Sequence, residues 1–161
     1  FHGEVPTLAL ISSDIPESEI LENWIRSALL QERLPATCAA ILCPTKAHCS
    51  KLEKAIDSTL RPKAFTSGNL DLSHPGVKIM TMHSAKGLQF PIVAVTGLDQ
   101  GWMPRHASGG MDEAESVQKQ RRLFFVACSR AMRRLLVCGR EDRPSEFLKD
   151  LDRDHWEIYE N

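Results

Sequence analysis

The chain has almost no net charge. Its 161 residues carry 20 Lys and Arg against 21 Asp and Glu, a formal −1, so no global field selects a polyanion or a membrane surface. No apolar run approaches the roughly 18 residues that a membrane span requires, and nothing at the amino end reads as a signal peptide. Five cysteines stand at 38, 43, 49, 128 and 138, none of them in Cys-x-x-Cys, and His48 beside Cys49 has no matching pair at zinc spacing. They read as buried, reduced thiols of a cytosolic protein. Internal repeats and low-complexity tracts are absent. So are the phosphate loop, Gly-x-x-x-x-Gly-Lys-Ser/Thr, and an acidic pair after a strand to hold Mg²⁺. This chain alone is therefore not expected to cradle ATP–Mg²⁺. Since it opens on Phe1 and runs almost at once into a strand-like segment, it is expected to be a fragment of a longer chain, folding as a single domain over 1–161.

What is present is apolar material enough for a core, 42% of residues, arranged in short continuous runs. "TLALI" (7–11), "AAILC" (39–43), 77–82, "IVAVT" (92–96) and "LLVC" (135–138) read as strands, with 63–65 a short one. Between them lie helical patterns. Ser12, Ser13 and Asp14 read as the cap of the first helix, whose face is Ile20, Leu21, Trp24, Ile25, Ala28 and Leu29. Pro44-Thr45 caps a second, a third runs from near Asp112 to about Met132, and Pro144 opens a short fourth. Residues 66–76 and 97–111 are turn-rich connections. Continuous apolar strands separated by helices predict an α/β fold: a parallel sheet with helices on both faces.

Two stretches exceed what folding needs. "TMHSAKGLQF" (81–90) places His83, Ser84, Lys86 and Gly87 after a strand, where open parallel sheets bind ligands. Backbone N–H groups in such a turn can cradle an anion. "QKQRRLFFVACSRAMRR" (118–134) buries Leu123, Phe124, Val126 and Ala127 as a helix face, with arginines at both ends. Residues 119–143 hold eight Lys or Arg against two acids, whereas residues 1–35 hold six acids against two bases. That reads as a local phosphate-facing end. Arg130, in small company, is placed to reach outward, and Arg133 is expected to be solvated or DNA-facing. Trp102 in the long loop is expected to pack rather than stack on a base.

Residues 77–98 resemble motif V of superfamily 1 helicases of the UvrD/Rep type, residues 121–137 resemble motif VI, and residues 39–56 more weakly resemble motif IV. The resemblance implies the second RecA-like motor domain, P-loop NTPase-like with no phosphate loop of its own. It implies that Thr81, His83 and Ser84 touch single-stranded DNA, that Lys86, Gly87 and Gln89 face ATP, and that Arg130 reaches the γ-phosphate as the catalytic arginine. ATP and Mg²⁺ would be held mainly by an N-terminal motor domain of the same parent chain, in the bacterial cytosol. The parent would be an ATP-dependent DNA helicase or translocase, and the fragment itself an inactive monomer.

Four positions depart from the pattern. Pro44 stands where the family carries a second γ-phosphate arginine, with Lys46 nearby. Gln89 replaces a ribose-binding Glu. Lys119 and Gln120 replace acids before the arginine pair. The short link between motifs IV and V also lacks the inserted subdomain of UvrD and Rep. These departures keep a degenerate domain, one that binds nucleic acid or protein without hydrolysis, as the alternative.

Overall fold

Successive side chains of a strand point to opposite faces, and the Ala39–Cys43 strand shows what that does here. Ala39, Ile41 and Cys43 join one buried cluster, Ala40 and Leu42 another. Both faces of the sheet are therefore covered. The computed structural model describes residues 4–106 and 112–160. Their elements run β1 (Thr7–Ile11), α1 (Glu17–Glu32), β2 (Ala39–Cys43), α2 (Lys46–Ala55), β3 (Lys63–Ala64), β4 (Lys78–Thr81), β5 (Phe90–Val95), α3 (Glu113–Cys128), β6 (Ala131–Arg140), α4 (Glu146–Lys149) and β7 (Glu157–Ile158). The sheet order is β3-β4-β2-β5-β6-β1-β7, with each adjacent pair parallel. The α/β expectation holds. All strands thus end at one common edge, which places Ile11, Cys43, Thr81, Val95 and Arg140 near one another.

One face packs α1 and α2, through Ile20, Leu21, Ile25, Cys49 and Leu52. The other packs α3, α4 and part of the 82–89 segment, through Phe124, Ala127, Phe147, Met82 and Ala85. Thr45 caps α2 as expected, its hydroxyl accepting from His48 N–H at 3.1 Å. Lys78 is a buried cation in β4. Its ammonium donates to the Thr37 carbonyl at 2.9 Å and to the His74 carbonyl at 3.3 Å, tying the 66–76 connection to the sheet.

Several expectations are corrected. The first helix starts after Pro16 with no side-chain cap; Ser12 instead bonds Asp14 within the preceding turn. Helix α3 ends at Cys128, not near Met132, because Ala131 already pairs with Phe90 of β5. The last core strand is accordingly ten residues long rather than four, and β7 is an addition that the sequence pattern did not show. On α3, Phe124 and Ala127 are buried, but Val126 is 40% exposed and stands outside the core. The end of the long connection, residues 107–111, lies outside the described residues.

Candidate nucleic-acid and nucleotide faces

The segment after β4 starts at the carboxyl edge and finishes at the amino edge. Thr81 anchors its first turn: its hydroxyl donates to Ser84 Oγ at 2.9 Å and accepts the Ser84 N–H at 3.1 Å. The N–H groups of Ala85, Lys86 and Leu88 donate to the carbonyls of Thr81, His83 and Ala85. Four donors of the turn are thus engaged internally, and the expected backbone cradle for an anion is not formed by them. What this end presents outward is the exposed His83 ring beside the half-buried Thr81 and Ser84 hydroxyls.

Met82 and Ala85 bury beneath the turn, which pins it across the sheet. Gly87 takes φ +83°, a backbone conformation that glycine adopts without strain. The chain then reaches Phe90, whose N–H donates to the Arg130 carbonyl at 2.9 Å. Gln89 and Arg130 each precede a member of the Phe90–Ala131 pair, so the fold brings them together from 41 positions apart in sequence. The grouping of residues 83–87 at one strand end is corrected accordingly. Thr81, His83 and Ser84 stand at the carboxyl edge. Lys86, Gly87 and Gln89, all exposed, lead away to the amino edge.

Arg130 follows the end of α3, where helix carbonyls are unpaired and attract cations. Its Nε donates to the Val126 carbonyl at 3.2 Å and its Nη2 to Ser129 Oγ at 3.1 Å. The guanidinium is turned back on its own helix, and it is half-buried. Pro44, at the carboxyl end of β2, stands at the opposite edge of the sheet.

The basic end is partly engaged internally. Arg133 and Arg134 both bond Glu32 of α1, at 3.1 and 2.9 Å, and the Arg134 and Arg133 bonds hold the Glu32 carboxyl below its ordinary range. Arg121 pairs with Asp150 and lies 4.9 Å from the Phe147 ring. Arg140 donates to the carbonyls of Ser12 and Ile15. Arg133 is exposed, as expected of a solvated position, and its guanidinium also pairs with Glu32.

Over the carboxyl edge lies a pocket of about 320 Å³ that the motifs did not announce. Pro44, Thr45, His48 and Lys51 form one side, and Asp99, Trp102, Arg140 and Arg143 the other, with Gly97 and Glu17 between them. Glu17 is the hub. It accepts from His48 Nε2 at 2.7 Å and from the Thr96 hydroxyl at 2.6 Å. Burial pushes its carboxyl up, but the His48 bond and charge, the Thr96 bond and the Arg140 charge together hold it below its ordinary value. Burial raises the Asp99 carboxyl, against the pull of the Arg140 N–H. Trp102, expected to pack, is 50% exposed and lies 5.3 Å from the Arg105 guanidinium. The signal that could have found these residues was position. Glu17, Thr45, His48 and Arg143 each follow a strand end by six residues or fewer.

Burial pushes the Cys128 thiol up to about 12 and raises Cys138 as well. Neither is a candidate nucleophile. Among the described residues no cluster of three His, Cys, Asp or Glu could hold a metal ion, and no helix is long and apolar enough to cross a membrane.

Comparison with known proteins places this geometry. The UvrD-like helicase C-terminal domain model matches residues 32–141. DNA helicase II of Escherichia coli K12 is 37% identical over 94 residues, 52% of this chain and 13% of that protein. The ATP-dependent DNA helicase PcrA of Staphylococcus epidermidis RP62A is 35% identical over 89 residues, 49% of this chain and 12% of that protein. The matched segment thus spans about an eighth of these relatives. Among solved structures, the C-terminal domain of a possible DNA helicase from Lactobacillus plantarum WCFS1 superposes with a TM-score of 0.73 at 22% identity, covering 98% of this chain and 87% of that one. The UvsW helicase of bacteriophage T4 gives 0.55 at 13% identity, covering 98% and 55%. Both structural likenesses bear on the fold.

Proposed function

From the premise that the chain belongs to the UvrD-like helicase C-terminal domain family, we propose that it is the second motor half of an ATP-dependent DNA helicase or translocase. In this reading the carboxyl edge is the single-stranded DNA track and the amino edge faces the nucleotide. One observation carries it. A single short segment, residues 82–89, starts beside Thr81 and Ser84 and ends beside Arg130, pinned between by Met82 and Ala85. In this reading a shift at one edge is passed to the other through this packed segment.

At the DNA edge, the His83 ring and the Thr81 and Ser84 hydroxyls meet backbone phosphates. Lys51 and Arg143 add exposed positive charge, and the exposed face of Trp102 is a surface on which a base can stack. At the other edge, Lys86 supplies charge, Gln89 a ribose hydrogen bond, and Arg130 a planar cation for the γ-phosphate. ATP and Mg²⁺ would be held by a partner motor domain carrying the phosphate loop. For Arg130 to act it must exchange the Val126 carbonyl for a phosphate oxygen, a swap that closure of the partner domain would drive.

Two tests address the two edges. The 161-residue chain should bind a labelled oligothymidylate weakly, prefer single strands, and lose affinity steeply between low and physiological salt. Tight, salt-insensitive binding would overturn the track reading. In a longer protein that carries the phosphate loop, Arg130→Ala should lower ATP turnover by about 10³ to 10⁵ while ATP binding changes little. Arg130→Lys should rescue poorly, because an ammonium lacks the fork. Turnover within about tenfold of wild type would favour the second reading, nucleic-acid or protein binding without hydrolysis. Pro44 and the turned-back Arg130 are the observations on its side.

A further inference from the structure

We propose that Gln120 is a positioning residue: its side-chain amide locks the Trp102 loop onto α3, the helix that leads into Arg130. Gln120 lies in the middle of α3, half-buried. Its Oε1 accepts the Arg105 N–H at 2.7 Å, and its Nε2 donates to the Arg105 carbonyl at 2.8 Å. Both backbone groups of one residue are thus held by one side chain. The orientation is determined by chemistry. Reversing the amide would set oxygen against the Arg105 carbonyl and nitrogen against its N–H, losing both bonds, whereas as placed Nε2 also faces Ser116 Oγ at 3.3 Å.

This accounts for a departure from the motif. A carboxylate at 120 accepts only, so it would face the Arg105 carbonyl as one acceptor against another. Glutamine is the side chain of that length that satisfies both groups. The consequence travels through Arg105. With its backbone clamped, its guanidinium is held 5.3 Å from the Trp102 ring, and Trp102 forms a wall of the carboxyl-edge pocket. Behind Trp102 the loop is fixed independently: Gln100 N–H bonds the Arg143 carbonyl at 2.8 Å, and Ser145 bonds the Met103 carbonyl. Gln120 closes the free side. His106 and Glu113 meet one residue further on, with both side chains more than half exposed, a contact that solvent weakens. The pocket wall and the Arg130 helix therefore move as one body. The role in binding rests on the nucleic-acid reading of the pocket; the clamp itself does not.

Hydrogen exchange by mass spectrometry on the 161-residue chain tests the clamp, alongside oligothymidylate affinity. Gln120→Met keeps the length and removes both bonds. Gln120→Glu keeps one acceptor and sets an oxygen against the Arg105 carbonyl. Loop peptides covering 100–106 should exchange about tenfold or more faster in Gln120→Met, with Gln120→Glu between it and wild type, while β2 and β5 peptides are unchanged. Affinity for the oligonucleotide should fall by about three- to tenfold, in step with Trp102→Ala. Unchanged exchange in 100–106 overturns the proposal, as does acceleration spread over the whole sheet. Faster loop exchange with unaltered affinity, where Trp102→Ala does lose affinity, overturns the positioning role. If the wild-type chain binds no oligonucleotide, the track reading falls instead, and the exchange contrast alone decides the clamp.

Discussion

A Cβ built on Gly97 would stand 2.6 Å from Pro44 Cδ and 2.9 Å from two atoms of the His48 ring, at a φ of +81°. That residue therefore sets how closely the β5 end approaches α2, and with it the floor of the pocket. Gly97→Ala should cost about 1–3 kcal/mol through strain and crowding, read as a lowered urea midpoint with an unchanged slope. Glu17 gives a prediction with a sign. Its carboxyl titrates below its ordinary value of 4.5 in the folded state, so it contributes stability that is present above about pH 4.5 and lost as pH falls through the folded value. The stability gap between wild type and Glu17→Gln should shrink as pH falls below about 4.5. Urea midpoints taken from pH 5 down to 3 check this, and a gap that widens over that range would refute the assigned shift.

At the scale of the element, helix α3 shows how sharply a face is cut. Phe124 is fully buried against Phe147, with ring centroids 6.0 Å apart, whereas its neighbour Phe125 is 48% exposed. One residue along a helix is about 100° of rotation. Phe124→Ala should destabilise by about 3–5 kcal/mol and Phe125→Ala by less than about 1 kcal/mol, compared by chemical denaturation of the two variants. The helix-to-strand junction at 128–131 was misread from sequence for a definable reason. "AMRRLL" continues a helical pattern of charge and apolarity, but Ala131 finds Phe90 as a strand partner, and Arg133 and Arg134 find Glu32 about a hundred residues away. Long-range pairing overrode local pattern.

For the whole molecule, the sheet joins two edges that the motif list treats as a string of adjacent residues. The chain carries stretches that resemble the family's motifs V and VI, and no phosphate loop. Purified alone, it should show no ATP turnover above background, with or without single-stranded DNA, in a coupled phosphate-release assay. Steady turnover that is abolished by Arg130→Ala would contradict the assignment of half a motor to this chain.

The amino-acid sequence alone determined the fold class, because continuous apolar strands alternating with helical faces can bury themselves only in a doubly covered parallel sheet. It also determined the Thr45 cap, the positions of the chemistry-bearing residues 81–90 and 130, and the family they resemble, since these depend on local spacing and residue type. Only the tertiary structure decided which of those residues stand together. Local periodicity says which face a residue takes, never which strand it will lie beside. Hence the order β3-β4-β2-β5-β6-β1-β7, the pairing of Gln89 with the Arg130 end, the internal engagement of Arg133 and Arg134, and the pocket gathered from Glu17, His48, Trp102 and Arg143 all waited on contacts between segments far apart in the chain.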